Sequence, residues 1–393
     1  MSFDHWHNLT GDASSSAGNS SSFGSVMSEE YLLKDSGQAS PVSGATAQSP
    51  ASGVTTVAST GSLPAQTLVG SANGLQFDLT WDASVVDAPR GFIQAVVDAA
   101  KLYSTLYSNK AVINIDVGYG EIGGTTLPAY ALGASDPFGY LTDYSIVTSV
   151  LSGDGFNFSA ANEPTASQFF ITSAEAKAMG LVDSAAGLDG FMGFSDLTGT
   201  GFSWNTAGSA NGLNGGTKAN QFDLQAVAEH EISEVMGRLG IEGLPVNGTP
   251  TYSPLDLFNY QSPGMLALSP NGGYFSPLNG FINLGNFNNA AANGGDIADW
   301  ASNASIAQSG TLGLPRGSYD AYDAFTFPGV NGHVSLSDIV ESEALGYTLR
   351  GGMNLALLGN YAASFAAPSF HGDSTGSSAV QAAVEQTLAS HHV

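Results

Sequence analysis

The stretch AEHEISEVMGRLGIEG, residues 228–243, is the part of this 393-residue sequence that most constrains its fold and chemistry. It contains His230, one of only seven histidines, followed by Glu231 and Glu234. His230 and Glu234 are four residues apart, so on an α-helix they project from one face about one turn apart. Imidazole and carboxylate are both competent zinc ligands. The pattern therefore predicts a helix that presents a metal site.

Glu231 follows His230 directly and lies about 100° further around the helix. From there it would reach a metal-bound water rather than the metal, and act as general base while the water attacks a carbonyl group polarised by the cation. Two simpler interpretations stay open. Glu234 and Arg238, also four apart, would form a surface ion pair. His230 would be a hydrogen-bonded interior histidine.

These residues resemble the active helix of the zincins, and within them the metzincin clan of secreted zinc proteases, which reads H-E-x-x-H-x-x-G-x-x-H/D. The first histidine, the catalytic glutamate and the helix-ending glycine match at His230, Glu231 and Gly237. The second histidine is replaced by Glu234, and the third ligand position is Gly240, which has no side chain. The resemblance implies that His230 and Glu234 hold Zn²⁺ and that Glu231 is the catalytic base.

A third zinc ligand must then come from a residue that is not at the position expected from the H-E-x-x-H-x-x-G-x-x-H/D pattern. Glu242, Asp256 in SPLDLF and His333 are the candidates. Met265 is a candidate for the methionine turn of the family, although methionine is more often plain core packing. The resemblance spans about 75–350 and is weak outside the helix.

Two pairs of aspartates lie in aromatic, glycine-bearing loops: Asp296 with Asp299, and Asp320 with Asp323. Oxygen ligands from such loops suit Ca²⁺, which takes six to eight of them. Neither pair completes a calcium-loop pattern, so solvated loop carboxylates are the simpler interpretation. Calcium is the second cation that the sequence suggests, after zinc.

The composition restricts the partners of the chain. Nine Lys and Arg stand against 34 Asp and Glu, for a formal charge of −25, and there is no cysteine. That charge repels phosphate backbones and excludes nucleic-acid binding, whereas it favours divalent cations. Disulfides and cysteine-ligated zinc are excluded. No uninterrupted apolar stretch is long enough for membrane insertion.

The export route is also suggested by sequence. The first twenty residues lack the basic and apolar regions of a Sec signal peptide. Acidic, glycine-rich, cysteine-free chains of this kind resemble bacterial type I secretion substrates, which carry an uncleaved C-terminal signal. The helix-prone tail 378–393 is the candidate signal. We therefore expect an extracellular protein that is secreted without a Sec signal.

Residues 1–74 have low complexity and form an N-terminal arm. No charged residue occurs from Ser36 to Phe77. The arm is either a disordered linker or, through its β-prone segments 53–59 and 66–70, a strand that adds to a neighbouring sheet edge.

The expected fold class is α+β, a zincin-like two-lobed domain with a twisted mixed sheet. An N-terminal subdomain, 75–243, would contain the active-site helix, and a loop-rich C-terminal subdomain, 244–350, would precede a tail, 351–393. Periodicity and capping predict helices over 89–107, 173–180 (N-cap Ser173), 223–239 (N-cap Asp223) and 335–347. They predict strands over 111–121, 168–172, 190–195 and 201–204.

The leading functional hypothesis is an exported zinc-dependent metalloprotease that hydrolyses peptide bonds in protein or peptide substrates. The alternative is a catalytically silent protease scaffold that acts as an extracellular surface or filament protein and forms homo-oligomers through its N-terminal arm. A third hypothesis, carbohydrate binding by the aromatic second half, rests on composition alone.

Overall fold

The computed structural model describes residues 64–350, except for 128–130, 154–155, 157–163, 165–166, 186, 208–215, 270, 294, 303–310 and 312–318, together with two short strands at 24–25 and 29–32. The predicted segment 53–59, the rest of the arm before residue 64 apart from these two strands, and the tail 351–393 with its candidate secretion signal lie outside the described residues.

The strands are short, and most of them belong to one large sheet. In chain order they are β1 (Gly24–Ser25), β2 (Glu29–Leu32), β3 (Gln66–Gly70), β4 (Gln76–Trp81), β5 (Val112–Tyr119), β6 (Glu121–Ile122), β7 (Thr125–Thr126), β8 (Ala131–Thr142), β9 (Gln168–Thr172), β10 (Gly190–Phe194), β11 (Ser203–Asn205), β12 (Gln221–Asp223), β13 (Pro245–Val246), β14 (Thr249–Tyr252), β15 (Asn259–Ser262), β16 (Met265–Leu266), β17 (Gly273–Phe275), β18 (Gly285–Phe287), β19 (Tyr319–Asp320) and β20 (Gly332–His333).

The large sheet is mixed, with the order β13-β14-β9-β8-β10-β5-β4-β3. β4, β5 and β10 are parallel to one another, whereas β8 is antiparallel to both β10 and β9. β1 and β2 also pair with β8. The predicted β-prone segment 66–70 forms β3, which pairs with β4 of its own chain. A smaller sheet, β16-β15-β17-β18, follows in the second half.

The helices are α1 (Phe92–Leu106), α2 (Tyr144–Gly153), α3 (Ser173–Ala178), α4 (Leu224–Val235), α5 (Ala290–Asn293) and α6 (Leu336–Ala344). The prediction of a mixed sheet combined with helices is confirmed in this coarse form: the described residues are a mixed α/β structure. Among the described helices, none is both long and apolar enough to cross a membrane.

Several helix ends differ from the predictions by a few residues, and two of the differences have identifiable reasons. The N-cap of α3 is Thr172, whose side chain accepts the Glu175 N–H, because Ser173 instead donates its hydroxyl to Asp189. α4 ends at Val235, before the predicted Leu239, because Gly237 adopts a left-handed φ of 116° that terminates the helix.

α4 lies in the interior of the molecule. Every residue from Leu224 to Val235 is buried, including its glutamates and its histidine. The helix packs against α1 and β8, and Tyr103 of α1 donates its hydroxyl to the Glu229 carbonyl at 2.6 Å. Because buried ionisable groups are costly unless they are paired or coordinate a metal, the polar side chains of α4 require partners inside the protein.

The N-cap of α4 predicts a pH effect on stability. Burial raises the pKa of Asp223 from 3.8 to about 7, and its titratable neighbours are Glu229 and Tyr319. The folded state therefore keeps a proton that the unfolded carboxyl releases near pH 4. The contribution of Asp223 to the free energy of unfolding is present at low pH and is lost as the pH rises from about 4 to about 7. Asn is also a favoured N-cap residue, so Asp223→Asn suits the position and removes this titration.

Between about pH 4 and 7, we expect the free energy of unfolding to fall less steeply with pH in Asp223→Asn than in wild type. The two slopes should differ by up to about 1.4 kcal/mol per pH unit, because unfolding is linked to the release of one proton. Urea denaturation at several pH values measures the slope. Asp82→Asn, at the exposed N-cap of a 3₁₀ helix, is the surface control measured in parallel. Equal slopes for wild type and Asp223→Asn would contradict the prediction.

Candidate metal centre

Three side chains of α4 converge on one point. One ligand atom from each of His230, Glu231 and Glu234 lies within 4.8 Å of the others, and all three side chains are completely buried. This group could hold a metal ion. In the described part of the chain it is the sole set of three such residues that meets this distance.

The His230 ring is oriented by its surroundings. Nδ1 lies 2.9 Å from the Ala321 carbonyl oxygen, which only accepts, so Nδ1 carries the proton and donates it. Nε2 then faces two carboxylate oxygens, Glu234 Oε1 at 3.0 Å and Asp299 Oδ1 at 3.2 Å. In protein metal sites, a ligating histidine characteristically donates its other ring N–H to a carbonyl or carboxylate.

The distances from Nε2 fit a shared cation. In a tetrahedral zinc site with bonds of about 2.0–2.1 Å, neighbouring ligand atoms lie about 3.3 Å apart. The two distances from His230 Nε2, 3.0 and 3.2 Å, are close to that separation. Without a metal, the ring must instead carry a second proton, this one on Nε2, to face two carboxylates. His230 and Glu234 therefore suit zinc, whereas Asp299 lies outside the group whose ligand atoms are all within 4.8 Å of one another.

Gly240, the position at which the resemblance places a third ligand, is packed against the loop that precedes Asp299. A Cβ at Gly240 would lie 2.7 Å from Ile297 Cγ2 and 3.0 Å from the Ala298 nitrogen. The backbone immediately before Asp299 thus occupies the space that a side chain at 240 would fill. The absence of a side chain at Gly240 thus leaves room for the loop that brings the Asp299 carboxylate to His230.

We expect Gly240→Ala to displace this loop. The added methyl group would overlap Ile297 and Ala298, and overpacking of a dense interior costs about 1–3 kcal/mol. Thermal and urea unfolding would show the loss, and zinc affinity would fall because Asp299 moves with the loop. Trimming the neighbour in Gly240→Ala/Ile297→Ala should recover part of both. A Gly240→Ala variant as stable and as zinc-competent as wild type would contradict the packing argument.

The loops that contact the two ring nitrogens of His230 are tied to each other. Trp300, next to Asp299, donates its backbone N–H to the Tyr322 carbonyl at 2.9 Å, and its own carbonyl accepts the Ala324 N–H at 3.0 Å. Its indole N–H donates to Asp338 Oδ1 of α6 at 2.7 Å. The segments carrying Asp299 and Ala321 are therefore held as one unit around the imidazole.

Arg238 and Ser135 also bind the two carboxylates that face His230. Arg238 Nη2 lies 3.1 Å from Glu234 Oε1, and Nη1 lies 2.5 Å from Asp299 Oδ1. Ser135 of β8 donates its hydroxyl to Glu234 Oε2 at 2.7 Å. The Glu234–Arg238 pair suggested by the spacing is present, but both side chains are buried rather than on the surface.

The charges in this cluster act on one another. Burial and the Arg238 charge lower the pKa of His230, but Asp299 and Glu234 raise it more, so the net shift is upward. Burial raises the pKa of Asp299, but His230 and Arg238 lower it more, so the net shift is downward. The network holds two opposite pairs of charges in a medium of low dielectric constant, where each interaction is strong.

Glu231 differs from its neighbours because neither of its carboxylate oxygens has a hydrogen-bond partner among the described residues. Burial, followed by the nearby Glu234 charge, raises its pKa well above the usual range. It is packed so tightly against β8 that a Cβ at Gly133 would collide with its Oε1. A buried carboxyl with a raised pKa at a cation site is suited to accept and return a proton.

The structure places the other predicted ligands elsewhere. Asp256 accepts the backbone N–H groups of Ile241, Glu242 and Ser253. Glu242 accepts the Asn259 amide at 2.6 Å, and burial followed by the Asp256 charge raises its pKa to about 9. Neither Glu242 nor Asp256 belongs to the group on α4.

His333 and Met265 are not part of that group either. His333 is half-buried on β20, and Met265 is 54% exposed on β16, so it is not core packing. Asp320 and Asp323 are buried and therefore not the solvated loop carboxylates of the simpler interpretation. Asp320 Oδ1 accepts the Tyr322 N–H at 2.9 Å.

Sequence reasoning assigned Asp299 to a calcium pair and did not identify it as the partner of His230. The one available signal was the Asp296–Asp299 pair in a loop beside Trp300 in an otherwise charge-poor chain. Comparisons of the chain with protein-family models, with curated proteins and with solved structures found no match.

Proposed function

We propose that the protein is a zinc-dependent peptide hydrolase of zincin type. In this proposal His230 and Glu234 hold the metal, Asp299 joins them as the ion binds, and Glu231 is the general base. The observation that carries it is the His230 ring, with Nδ1 fixed by a carbonyl and Nε2 facing two carboxylate oxygens. The two-lobed zincin architecture and the protease family are parts of the same proposal.

A zinc ion at this centre would supply Lewis-acid polarisation of the peptide carbonyl. Glu231 would accept a proton from the attacking water as the C–O bond forms, and return it to the amine nitrogen as the C–N bond breaks. Ser135, which donates its hydroxyl to Glu234 Oε2, would keep that carboxylate in place. The Ala321 carbonyl would keep Nδ1 protonated and Nε2 directed at the cation.

Substrate access requires a rearrangement, because His230, Glu231 and Glu234 have no exposed surface. The strand that would have to move is β2. In the pairing of β2 with β8, Tyr31 stands opposite Gly133, and Gly133 is packed against the Glu231 carboxyl. A peptide would therefore reach Glu231 when β2 leaves β8. An extracellular place of action is part of the proposal and is supported by the charge of −25 and the absence of cysteine.

Chelation of the metal tests this function. Purified protein should hydrolyse a fluorogenic casein, 1,10-phenanthroline should abolish the hydrolysis, and a stoichiometric amount of zinc should restore it. Full-length protein and a chain beginning at residue 64 should be compared, since removal of β2 should raise the rate. Hydrolysis that is indifferent to the chelator, or absent from both zinc-loaded chains, would contradict the proposal.

A second candidate is a silent protease scaffold with a structural role outside the cell. The observation that favours it is Arg238, which bridges both carboxylates and completes an ion-pair network that needs no metal. In this case the N-terminal arm would pair with another copy. Light scattering should then find oligomers that dissociate when residues 1–63 are removed, a truncation that retains β3. A monomer unaffected by that truncation would exclude this candidate.

A further inference from the structure

The guanidinium of Arg238 occupies a special place in the candidate centre. It bonds to the same two oxygens that face His230 Nε2, namely Glu234 Oε1 and Asp299 Oδ1. Its Nε–H donates to Ser233 Oγ at 2.7 Å, and its side chain is 1% exposed. A metal ion at Nε2 would therefore bring two further positive charges next to a guanidinium that cannot reach solvent.

A second buried carboxylate is available to receive that guanidinium. Glu341 lies on α6, one helical turn after Asp338, which bonds to Trp300 beside Asp299. Glu341 is 1% exposed, and neither of its oxygens has a hydrogen-bond partner among the described residues. Arg238 and Glu341 interact electrostatically, and only Asp299 and Glu234 act on Arg238 more strongly among the carboxylates.

We propose that Arg238 is the built-in counter-cation of the centre and that a divalent metal ion displaces it toward Glu341. The inference rests on the proposed function, since it requires the metal centre. Metal and guanidinium repel each other at shared oxygens, and the repulsion is strong where the dielectric constant is low. Transfer to Glu341 keeps the Arg238 charge paired within the interior, as buried charges require.

Zinc affinity measures the effect of this exchange. Glu341→Gln removes the acceptor charge, so we expect its zinc Kd, measured by competition with a chromophoric chelator, to rise at least tenfold. Glu175→Gln is the matched control. Glu175 is equally buried, and both of its oxygens likewise lack hydrogen-bond partners in the described part of the chain. It should bind zinc within about twofold of wild type.

A double-mutant cycle identifies the route of the effect. In an Arg238→Met background, Glu341→Gln should change the zinc Kd less than twofold, because there is no guanidinium left to transfer. A crystal structure of zinc-loaded wild type requires no variant and should place the guanidinium within hydrogen-bonding distance of Glu341. If Arg238→Met does not fold, this crystal structure tests the displacement of Arg238 by itself.

Several results would overturn the inference. They are a Glu341→Gln affinity equal to wild type, an equal loss in Glu175→Gln, a Glu341→Gln effect that persists in Arg238→Met, or a guanidinium still bound to Glu234 and Asp299 in the zinc-loaded crystal. If wild type binds zinc and hydrolyses peptides but shows one of these results, the inference alone fails. If wild type binds no zinc, the inference and the proposed function fail together.

Discussion

Glu231→Gln is expected to reduce peptide hydrolysis by about 10³-fold while zinc remains bound. An amide cannot accept the proton of the attacking water, and loss of a positioned general base typically costs 10²–10⁴-fold in rate. The metal should stay, because His230, Glu234 and Asp299 are unchanged. Hydrolysis of a fluorogenic peptide and the zinc content of the same preparation are the two measurements.

Glu229→Gln is the matched control for this variant. Glu229 is also a buried glutamate of α4, but its carboxylate accepts the Gln225 amide at 2.8 Å. The control should keep its hydrolysis rate within a few-fold of wild type. If Glu231→Gln retained more than about a tenth of wild-type activity, Glu231 would not be the base.

Asp299→Asn should weaken zinc binding at least 100-fold and abolish hydrolysis. The substitution removes one of the two negative charges that face His230 Nε2. It should also destabilise the fold, because breaking a buried ion pair by removing one partner costs about 3–5 kcal/mol. Titration with zinc in competition with a chelator gives the affinity, and urea unfolding of the metal-free protein gives the stability.

Glu242→Gln provides the comparison for Asp299→Asn. Glu242 is a buried carboxyl that the sequence also suggested as the third ligand, yet it contacts Asn259 rather than His230. It should bind zinc with wild-type affinity. The reverse outcome, a loss in Glu242→Gln but not in Asp299→Asn, would return the third position to the ligand first suggested by sequence.

Much of the fold around α4 could be predicted because local patterns specify it. The apolar spacing of α1, the β-branched run of β5 and the Asp223 cap of α4 are local signals, and each corresponds to an element of the structure. β8 was missed because ALGASDPFGYLT has neither alternation nor high β-propensity. It forms between β9 and β10, whose pairing compensates for its weak local preference.

The site was predictable only as far as one helix extends. His230, Glu231 and Glu234 are brought together by helix geometry, which spacing reveals. Asp299 and the Ala321 carbonyl arrive from loops far along the chain, and no local rule relates them to His230. The burial of the Glu234–Arg238 pair was likewise invisible, because the same i, i+4 spacing occurs on exposed helices.

Metal analysis of freshly purified protein tests the central claim most directly. Wild-type protein, dialysed against metal-free buffer and examined by mass spectrometry of the elements, should contain about one zinc ion per chain. Glu234→Ala, which removes the carboxylate one turn beyond His230, should contain none. Wild-type protein without bound zinc after incubation with the metal, or Glu234→Ala with a full complement, would contradict the account.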